Sequence, residues 1–251
     1  MGSLRDVVME SLVIKDIRPS TRRQYLISLR PFFDLETETL AVADLNDALL
    51  GIKNQNTRRK CIIALKACVP HPAVKALRVP AAIPRDYDLP DEDTLRLALM
   101  TCPHETRLLL AMYGGLRLGE LAATTRADIK GRWLDVGQQV DETTRRLVPT
   151  KSRQGRVPLP LWLAERAQEL SAPVSPKAVR KALLNAGNRL GIHLNPHQLR
   201  TWYCNHLIAQ GLPPHVVQKL MRHANVRVTF THYARAAAGD LERAVEDLGA
   251  F

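Results

Sequence analysis

The stretch NPHQLRTWYCNHL, residues Asn195 to Leu207, has the pattern of a half-buried helix that begins with a charged pair. Leucine and aromatic residues recur in it at the spacing of one apolar helix face. Asn195 suits the N-cap position and Pro196 the first helical position. His197 and Arg200 then project from the first turns, where free N–H groups and the helix dipole attract anions. The pair is equally explained by a His197 that caps the helix and an Arg200 that pairs with a nearby acid.

The composition around this stretch is that of a basic globular protein. The chain has 251 residues and a formal net charge of +11, with 45% hydrophobic and 24% charged residues. No apolar run is long enough to span a membrane, and the N-terminus lacks a signal-peptide pattern, so we expect a cytoplasmic protein with no membrane partner. The excess charge is typical of a protein with a polyanionic partner. A uniformly solvated basic surface would produce the same charge.

The four cysteines indicate a reducing environment. Cys61, Cys68, Cys102 and Cys204 form no CxxC pair and stand in apolar or helical contexts. They are expected to be reduced, mostly buried thiols.

The hydrophobic pattern divides the chain into two halves. Residues 1–78 are helical throughout, with Ser20 and Thr57 as expected helix N-caps. Residues 79–90, VPAAIPRDYDLP, hold three prolines without helical period and are typical of a linker. Residues 91–251 mix helices with short alternating segments. The predicted fold is mainly α with a small antiparallel β-sheet, in two domains.

Polar residues in a leucine-rich context mark a first candidate site. In YGGLRLGEL, residues 113–121, two glycines end a helix and Arg117 follows in the turn before the next. Glu120, three residues on, is placed to hold the guanidinium. A surface Arg–Glu pair is the ordinary explanation and contributes little to stability. Because leucines flank it on both sides, Arg117 is expected to point inward, and a buried arginine needs an anion.

Two further segments place reactive side chains in turns. In VPTKSRQGRVPLP, residues 148–160, Lys151 is predicted at the tip of a β-hairpin, where such a lysine is normally only solvated. In MRHANVRVTFTHYARA, residues 221–236, His223 ends a helix and Tyr233 follows ten residues later. Tyr233 suits an anchor for the last helix, or a nucleophile if cationic neighbours stabilise its phenolate.

The histidines do not predict a metal centre. Six of the eight histidines follow residue 190. The pair His193/His197 is interrupted by a proline, and the pairs His215/His223 and His223/His232 lack helical spacing with a carboxylate partner. Since no cysteine joins them, we expect no zinc site.

Taken together, these motifs resemble those of the tyrosine recombinases, also called the phage integrase family. GLRLGEL is similar to the family's first arginine motif, TKSRQGRVPLP to its β-hairpin lysine, HQLR to its H-x-x-R box and RHANVRVTFTHY to its G-H…Y box. Order and spacing both match, from about Asp86 to the end of the chain. The helical half, especially TRRQYLISLRPFF, is similar to the family's core-DNA-binding domain.

The resemblance implies a chemistry and its residues. The expected catalytic residues are Arg117, Lys151, His197, Arg200, His223 and the nucleophile Tyr233, with Glu120 orienting Arg117. In this family a tyrosine attacks a DNA phosphodiester and forms a 3′-phosphotyrosyl enzyme. Two arginines, a lysine and two histidines take the role of a metal, so neither a metal nor another cofactor is expected.

The resemblance also implies partners. The expected ligand is double-stranded DNA at core-type recombination sites, held by two domains in a C-shaped clamp. Four copies would assemble and exchange strands through a Holliday junction, for the integration of a phage or mobile element. The core-binding-like helices begin within the first dozen residues, so a short form without an arm-type DNA-binding domain is expected. In the tail, Leu241, Val245 and Leu248 form a stripe that suits either a partner or its own domain.

Two departures from the family pattern leave other functions open. Arg222 stands where the family usually has glycine, before the second histidine. Tyr233 is tenth rather than ninth after that histidine, and position nine is His232, the weaker alternative nucleophile. A type IB topoisomerase-like enzyme would share the chemistry without pairing two sites. A DNA-binding protein that no longer cuts is the alternative from a different class.

Overall fold

The fold was analysed in a computed structural model, which describes residues 2–83, 89–150 and 154–233. The chain divides into two compact units, Met1–Asp86 and Tyr87–Phe251. The predicted linker, residues 79–90, includes residues 84–88, which lie outside the described part. Within the described residues, no helix is both long and apolar enough to cross a membrane.

The first unit is helical, as its sequence pattern predicts. Its α-helices are α1 (Leu4–Ile14), α2 (Pro19–Leu29), α3 (Val42–Leu50), α4 (Gln55–Cys68) and α5 (Pro72–Ala76), and a 3₁₀ turn, Arg30–Phe32, follows α2. Leucine, valine and cysteine side chains from these helices form one buried core around Phe32. The α2 and α4 helices pack against each other. Leu29 of α2 is buried in the core, and Tyr25 and Leu26 are partly buried against it.

Two predicted helix caps in this unit are wrong. The α2 helix begins two residues earlier than expected, because Pro19 occupies its first turn and Arg18, not Ser20, is the N-cap. The α4 helix is capped by Asn54, whose side-chain oxygen accepts from the Thr57 N–H at 3.0 Å. Thr57 is therefore the capped residue and not the cap, since both residue types suit either place.

The second unit surrounds a larger core with helices and two short sheets. Its α-helices are α6 (Glu92–Met100), α7 (Glu105–Gly114), α8 (Leu118–Ala123), α9 (Leu161–Ala167), α10 (Pro176–Arg189), α11 (Pro196–Ala209) and α12 (Pro214–Met221). Residues 226–233 are also helical. The stretch Asn195–Leu207 supplies α11, which packs against α7. Leu199, Cys204 and Leu207 bury its apolar face in the core.

The strands form two separate antiparallel ladders. The strands are β1 (Ile129–Lys130), β2 (Trp133–Val136), β3 (Gln138–Val140), β4 (Leu147–Pro149) and β5 (Gly155–Pro158). The first sheet has the order β1-β2-β5, and the second pairs β3 with β4. In register, Val136 faces Gly155 and Gln138 faces Pro149. The prediction of a mainly helical fold with a small antiparallel β component is confirmed, but the strands form two sheets and not one.

The predicted hairpin around Lys151 is wrong in its pairing. The strands on either side of this lysine, β4 and β5, do not pair with each other but with β3 and β2. The hairpin that does form joins β3 to β4 around the turn 141–146, where the Asp141 side chain accepts from the Thr143 and Thr144 N–H groups. Alternation of apolar residues identifies strands but not their partners. Lys151 itself lies outside the described residues.

The four cysteines are free and buried, as predicted. Burial raises the pKa of each thiol, to about 11 at Cys204. These side chains therefore act as small apolar core residues.

Candidate active site

The predicted residues of α11 and of the Arg117 motif meet at one pocket. It has a volume of about 450 Å³ and is lined by Arg117, Leu118, Arg180, Asn195, Pro196, His197 and Arg200. Three arginines and a histidine thus line one cavity at a helix N-terminus. This combination of donors suits a phosphate-type anion.

Asn195 caps α11 and leaves His197 to the pocket. Its side-chain oxygen accepts from the N–H groups of His197 and Gln198 at 3.0 and 3.3 Å, and Gln198 Oε1 accepts from the Asn195 N–H at 2.8 Å. This reciprocal arrangement is a capping box. The alternative in which His197 caps the helix is therefore wrong, and its exposed side chain lies at the pocket wall.

Arg200 is a buried cation held by main-chain oxygens. Only 3% of the residue is exposed, and its guanidinium donates to the carbonyls of Gly115 and Met221. No acid within the described residues forms a salt bridge with it, so the alternative of an acidic partner finds no support there. Burial, together with the charges of Arg117 and Arg222, lowers the pKa of Arg200 to about 9. The guanidinium is fixed in place and would be stabilised by an anion in the pocket.

Gly115 is required by this arrangement. It is the C-cap of α7, with φ of 63°, a left-handed conformation that side chains disfavour. A Cβ atom here would lie 2.8 Å from Cδ1 of Tyr203 and 3.2 Å from Sδ of Met221. Both the conformation and the close packing of α7 on α11 therefore favour glycine, whose carbonyl then reaches Arg200.

Glu120 is a buried carboxylate shared by several donors. Its Oε1 accepts from Nη1 of Arg117 at 3.2 Å and from Oγ1 of Thr150 at 2.9 Å. Its Oε2 accepts from the Arg117 N–H at 2.9 Å and from Nη2 of Arg222 at 2.7 Å. Burial alone would raise the pKa of Glu120, but the charges of Arg222 and Arg117 lower it to about 2. The carboxylate is thus ionised at neutral pH and holds both guanidinium groups.

Arg117 differs from the inward orientation expected of it. Its side chain remains 35% exposed while that of Glu120 is fully buried. The guanidinium therefore lies at the pocket wall rather than in the core, with the carboxylate behind it. The expectation that Glu120 contacts Arg117 is met by both the main-chain and the side-chain bonds.

Arg222, recognised in the sequence only as a departure from a family pattern, lies directly behind this pocket. It is the C-cap of α12, in a left-handed conformation with φ of 51°, and is 5% exposed. Its Nη2 donates to Glu120 and, at 3.4 Å, to the Gly115 carbonyl. Two salt bridges therefore join Arg117 and Arg222 to one carboxylate.

His223 lies beside this cluster and is oriented by a buried threonine. Its Nδ1 is 2.9 Å from Oγ1 of Thr229, which is fully buried, and its ring stacks on that of His232 at 6.4 Å between centroids. Burial and the charges of Arg200 and Arg117 lower the pKa of His223 to about 3. The imidazole is consequently neutral at physiological pH, with Nε2 as its second hydrogen-bonding atom.

Tyr233 is not among the residues that line the pocket. Its hydroxyl donates to the Leu212 carbonyl, and burial raises its pKa. Among the described residues, no cation lowers the pKa of this hydroxyl. Tyr203, interpreted as a core residue, is buried in α11, and burial raises its pKa to about 12.

The sequence interpretation missed four residues of this region. Arg180 lines the pocket, Thr150 and Arg222 bind Glu120, and Thr229 contacts His223. A single arginine on α10 and isolated threonines carry no pattern that distinguishes them from surface residues. Arg222 had a signal, the replacement of an expected glycine. Within the described residues, no group of three or more His, Cys, Asp or Glu is placed to hold a metal ion.

Comparison with known proteins supports the resemblance. Residues 87–239 match the phage integrase family. The chain belongs to the phage integrase family. The matched range contains every residue of the pocket and of the cluster behind it.

Curated relatives of this phage integrase family protein are tyrosine recombinases. Tyrosine recombinase XerA of Pyrococcus furiosus is 26% identical over 188 residues, which cover 67% of this chain and 63% of the relative. Tyrosine recombinase XerC of Azotobacter vinelandii is 31% identical over 144 residues, 51% of this chain and 47% of the relative. The chain thus spans less than two thirds of the length of these relatives.

Solved structures of integrases share the fold. The Tn1549 transposon integrase, in complex with transposon right end DNA, matches with a TM-score of 0.74 at 13% identity, over 96% of this chain and 99% of the other. A lambda integrase tetramer bound to a Holliday junction matches with a TM-score of 0.69 at 16% identity, over 92% of this chain and 77% of the other.

Proposed function

We propose that this protein is a tyrosine-type site-specific DNA recombinase, which cuts and rejoins DNA through a 3′-phosphotyrosine intermediate. The observation that carries the proposal is the pocket in which Arg117, His197 and Arg200 converge at the N-terminus of α11. A scissile phosphodiester is an anion of the size and charge that such a pocket favours. Family membership and the tyrosine recombinases among its relatives point to the same reaction.

The proposed reaction assigns a role to each predicted residue. The Tyr233 hydroxyl attacks the phosphorus, the bond to the 5′-oxygen breaks, and a 3′-phosphotyrosyl bond forms. Arg117 and Arg200 hold the non-bridging oxygens, where negative charge grows in the transition state. His223 donates a further hydrogen bond to them.

Proton transfers complete the proposed reaction. His197 accepts the tyrosine proton or bonds the phosphate, and Lys151 protonates the leaving 5′-oxygen as general acid. Glu120 orients Arg117. The reverse reaction, with a 5′-hydroxyl from another strand, rejoins the DNA. The phosphotyrosyl bond conserves the energy of the phosphodiester, so the reaction requires neither ATP nor a cofactor.

The proposal includes duplex DNA as partner and a division of labour between two domains. Residues 1–78 would bind the core site and residues 91–251 would perform the chemistry, as a C-shaped clamp joined by the linker 79–90. The chain's net charge of +11 supports a polyanionic partner. Assembly as a tetramer on a Holliday junction is proposed by analogy with the lambda integrase structure. The proposed setting is the nucleoid, in the host cytoplasm if the gene belongs to a phage, and the proposed role is integration of a phage or mobile element.

One observation favours a second function, DNA binding without cleavage. The Tyr233 hydroxyl is bonded to the Leu212 carbonyl and is absent from the pocket. If this contact persists on DNA, the phosphate would be bound but not attacked. The experiment must therefore separate binding from covalent chemistry.

Covalent trapping tests the proposal. Nicked duplexes that carry 5′-bridging phosphorothiolates, tiled across the DNA that flanks the gene, are incubated with the protein and resolved on denaturing gels. We expect a DNA-linked band in wild type and in Tyr203→Phe, whose hydroxyl is buried, and none in Tyr233→Phe. Binding of a duplex without a band in wild type would support the non-cutting function. A band that persists in Tyr233→Phe would show that Tyr233 is not the nucleophile, and His232 would then be tested.

A second assay separates recombination from topoisomerase activity. Two plasmid-borne copies of the trapped site are incubated with the protein. A recombinase produces two-site recombinants, whereas a type IB topoisomerase-like enzyme relaxes supercoils without joining the two sites.

A further inference from the structure

Arg222 has a backbone conformation that favours glycine, and its side chain bonds a buried carboxylate that glycine could not reach. The residue that ends α12 in the left-handed conformation is typically glycine, which adopts it without a side-chain clash. Here an arginine has φ of 51° at that position. Its Nε is a buried nitrogen without a hydrogen-bond partner among the described residues. Conformations of this kind persist where the surrounding structure enforces them, and the surrounding group here is Glu120.

We propose that Arg222 is a positioning residue for DNA cleavage, which binds the Glu120 carboxylate so that the Arg117 guanidinium stays at the phosphate pocket. This inference rests on the proposed recombinase function. It assigns no contact between Arg222 and DNA, since only 5% of the residue is exposed.

The bond lengths around Glu120 support this role. The Arg222 guanidinium lies 2.7 Å from the carboxylate, the shortest of the four bonds to Glu120 described above. The Arg117 guanidinium lies 3.2 Å away, the longest, and its side chain keeps 35% exposure. A fully buried carboxylate that loses its closest cation is left with an uncompensated charge, which favours a closer contact with the next cation. Among the described residues that cation is Arg117, which would move inward and away from the phosphate.

The electrostatics predict a second consequence. Arg222 is the strongest of the charges that lower the pKa of Glu120 against the effect of its burial. Without Arg222, the pKa of the carboxyl group would be higher, and the acid limb of the cleavage rate would move to higher pH. A loss of structure alone would lower the rate at every pH without moving this limb.

The test is a set of variants at both ends of this contact, measured in single-turnover cleavage of the trapped nicked duplex. Arg222→Met is expected to cleave at least about tenfold more slowly, because a displaced arginine no longer stabilises the transition state. DNA affinity should stay within about twofold, and Arg222→Lys should recover most of the rate. Arg222→Gly, which suits the left-handed position, replaces the methionine variant if that one does not fold.

A double-mutant cycle identifies the route of the effect. If Arg222 acts through Glu120, then Arg222→Met combined with Glu120→Gln should cleave no more slowly than Glu120→Gln alone. On the acid side, the cleavage rate of this double variant should fall at the same pH as that of Glu120→Gln. A rate of Arg222→Met within twofold of wild type, or strictly additive losses in the double variant, would overturn the proposal.

A readout that does not depend on cleavage separates this inference from the proposed function. Inorganic phosphate should raise the melting temperature of wild type and of Arg222→Lys, and do so less in Arg222→Met. If wild type forms no covalent adduct but this order holds, the recombinase proposal fails while the positioning of Arg117 by Arg222 stands. If wild type cleaves and phosphate stabilises all three equally, the positioning role is wrong while the recombinase function stands.

Discussion

The hydroxyl of Tyr233 donates its hydrogen bond to the main-chain carbonyl of Leu212, 21 residues earlier in the chain. The proposed nucleophile is thus satisfied by a protein acceptor outside the pocket of Arg117 and Arg200. Attack on a phosphate requires this bond to break and the residues that carry Tyr233 to move. Release of Tyr233 from the Leu212 carbonyl therefore precedes attack in the proposed reaction.

Release of Tyr233 is predicted to limit the rate of cleavage. A 5′-bridging phosphorothiolate leaves more readily than the natural 5′-oxygen, so it accelerates only a reaction in which chemistry is slow. We expect wild type to cleave both substrates at the same saturated single-turnover rate. Lys151→Ala is the control, since loss of the proposed general acid should slow the oxygen substrate alone. A faster sulfur reaction in wild type would place the limit at the chemical step.

Thr229 is predicted to orient His223. Its hydroxyl lies 2.9 Å from Nδ1 of the imidazole, and this bond fixes the orientation and the tautomer of the ring. Thr229→Val keeps the shape but leaves Nδ1 unpaired, and should lower single-turnover cleavage by about tenfold or more. Thr231→Val, whose hydroxyl bonds the Arg227 carbonyl on the exposed side, is the matched control. Equal rates in the two variants would remove this role.

Arg180 is predicted to contact the DNA backbone. It lines the pocket from α10 and is held by Glu142 at 2.5 Å. Arg180→Gln should weaken binding of any duplex and reduce the slope of log affinity against log salt by about 0.9, the value for one phosphate contact. Arg189→Gln on the same helix, which bonds Thr101 instead, should leave the slope unchanged. An unchanged slope in Arg180→Gln would exclude the contact.

Acid should destabilise the folded chain through His223 and Glu120. His223 has a folded pKa of about 3 against an ordinary 6.5, and Glu120 about 2 against 4.5. As pH falls, the unfolded chain binds these protons before the folded chain does. The contribution of each group to the free energy of unfolding is therefore fully present above its ordinary pKa and is lost as pH falls towards its folded pKa.

Denaturant unfolding at several pH values measures this effect. Between pH 6.5 and 4.5, wild type should lose more stability than His223→Asn, and between pH 4.5 and 2 more than Glu120→Gln. The exposed His215→Asn serves as control and should follow wild type. Parallel curves for wild type and both site variants would contradict the assignment.

Gly115→Ala should destabilise the chain more than the same change at Gly131. Both glycines have left-handed φ, of 63° and 60°, so each alanine costs about 1 to 2 kcal/mol in free energy of unfolding. Only at Gly115 does the new Cβ also meet Tyr203, at 2.8 Å, whereas nothing lies within 4 Å at Gly131. Overpacking adds about 1 to 3 kcal/mol. Urea unfolding of the two variants measures the difference. Equal losses in free energy of unfolding would mean that the Tyr203 ring moves aside at no measurable cost.

The sequence predicted what depends on local pattern. The α11 helix, its Asn195 cap and its buried face followed from spacing. The convergence of Arg117 with His197 and Arg200 was implied by the resemblance to the phage integrase family. The strand partners could not be predicted in this way, because the pairing of β4 with β3 and of β5 with β2 depends on how the whole segment from β1 to β5 folds. Arg180 and Thr229 were missed because their roles arise from packing between elements distant in sequence. The bond of Tyr233 to Leu212 could not be predicted, since a main-chain acceptor has no sequence signature.

The same property of main-chain acceptors affects how this site can diverge. Arg200 is anchored by the carbonyl oxygens of Gly115 and Met221. Every amino acid at position 221 supplies that oxygen, so mutation there cannot delete the acceptor. At position 115 the backbone conformation restricts the choice to glycine, but no side-chain chemistry is selected. The position of the Arg200 guanidinium can therefore be kept while many neighbouring residues are substituted, and Gly115 is the position at which substitution would disturb it.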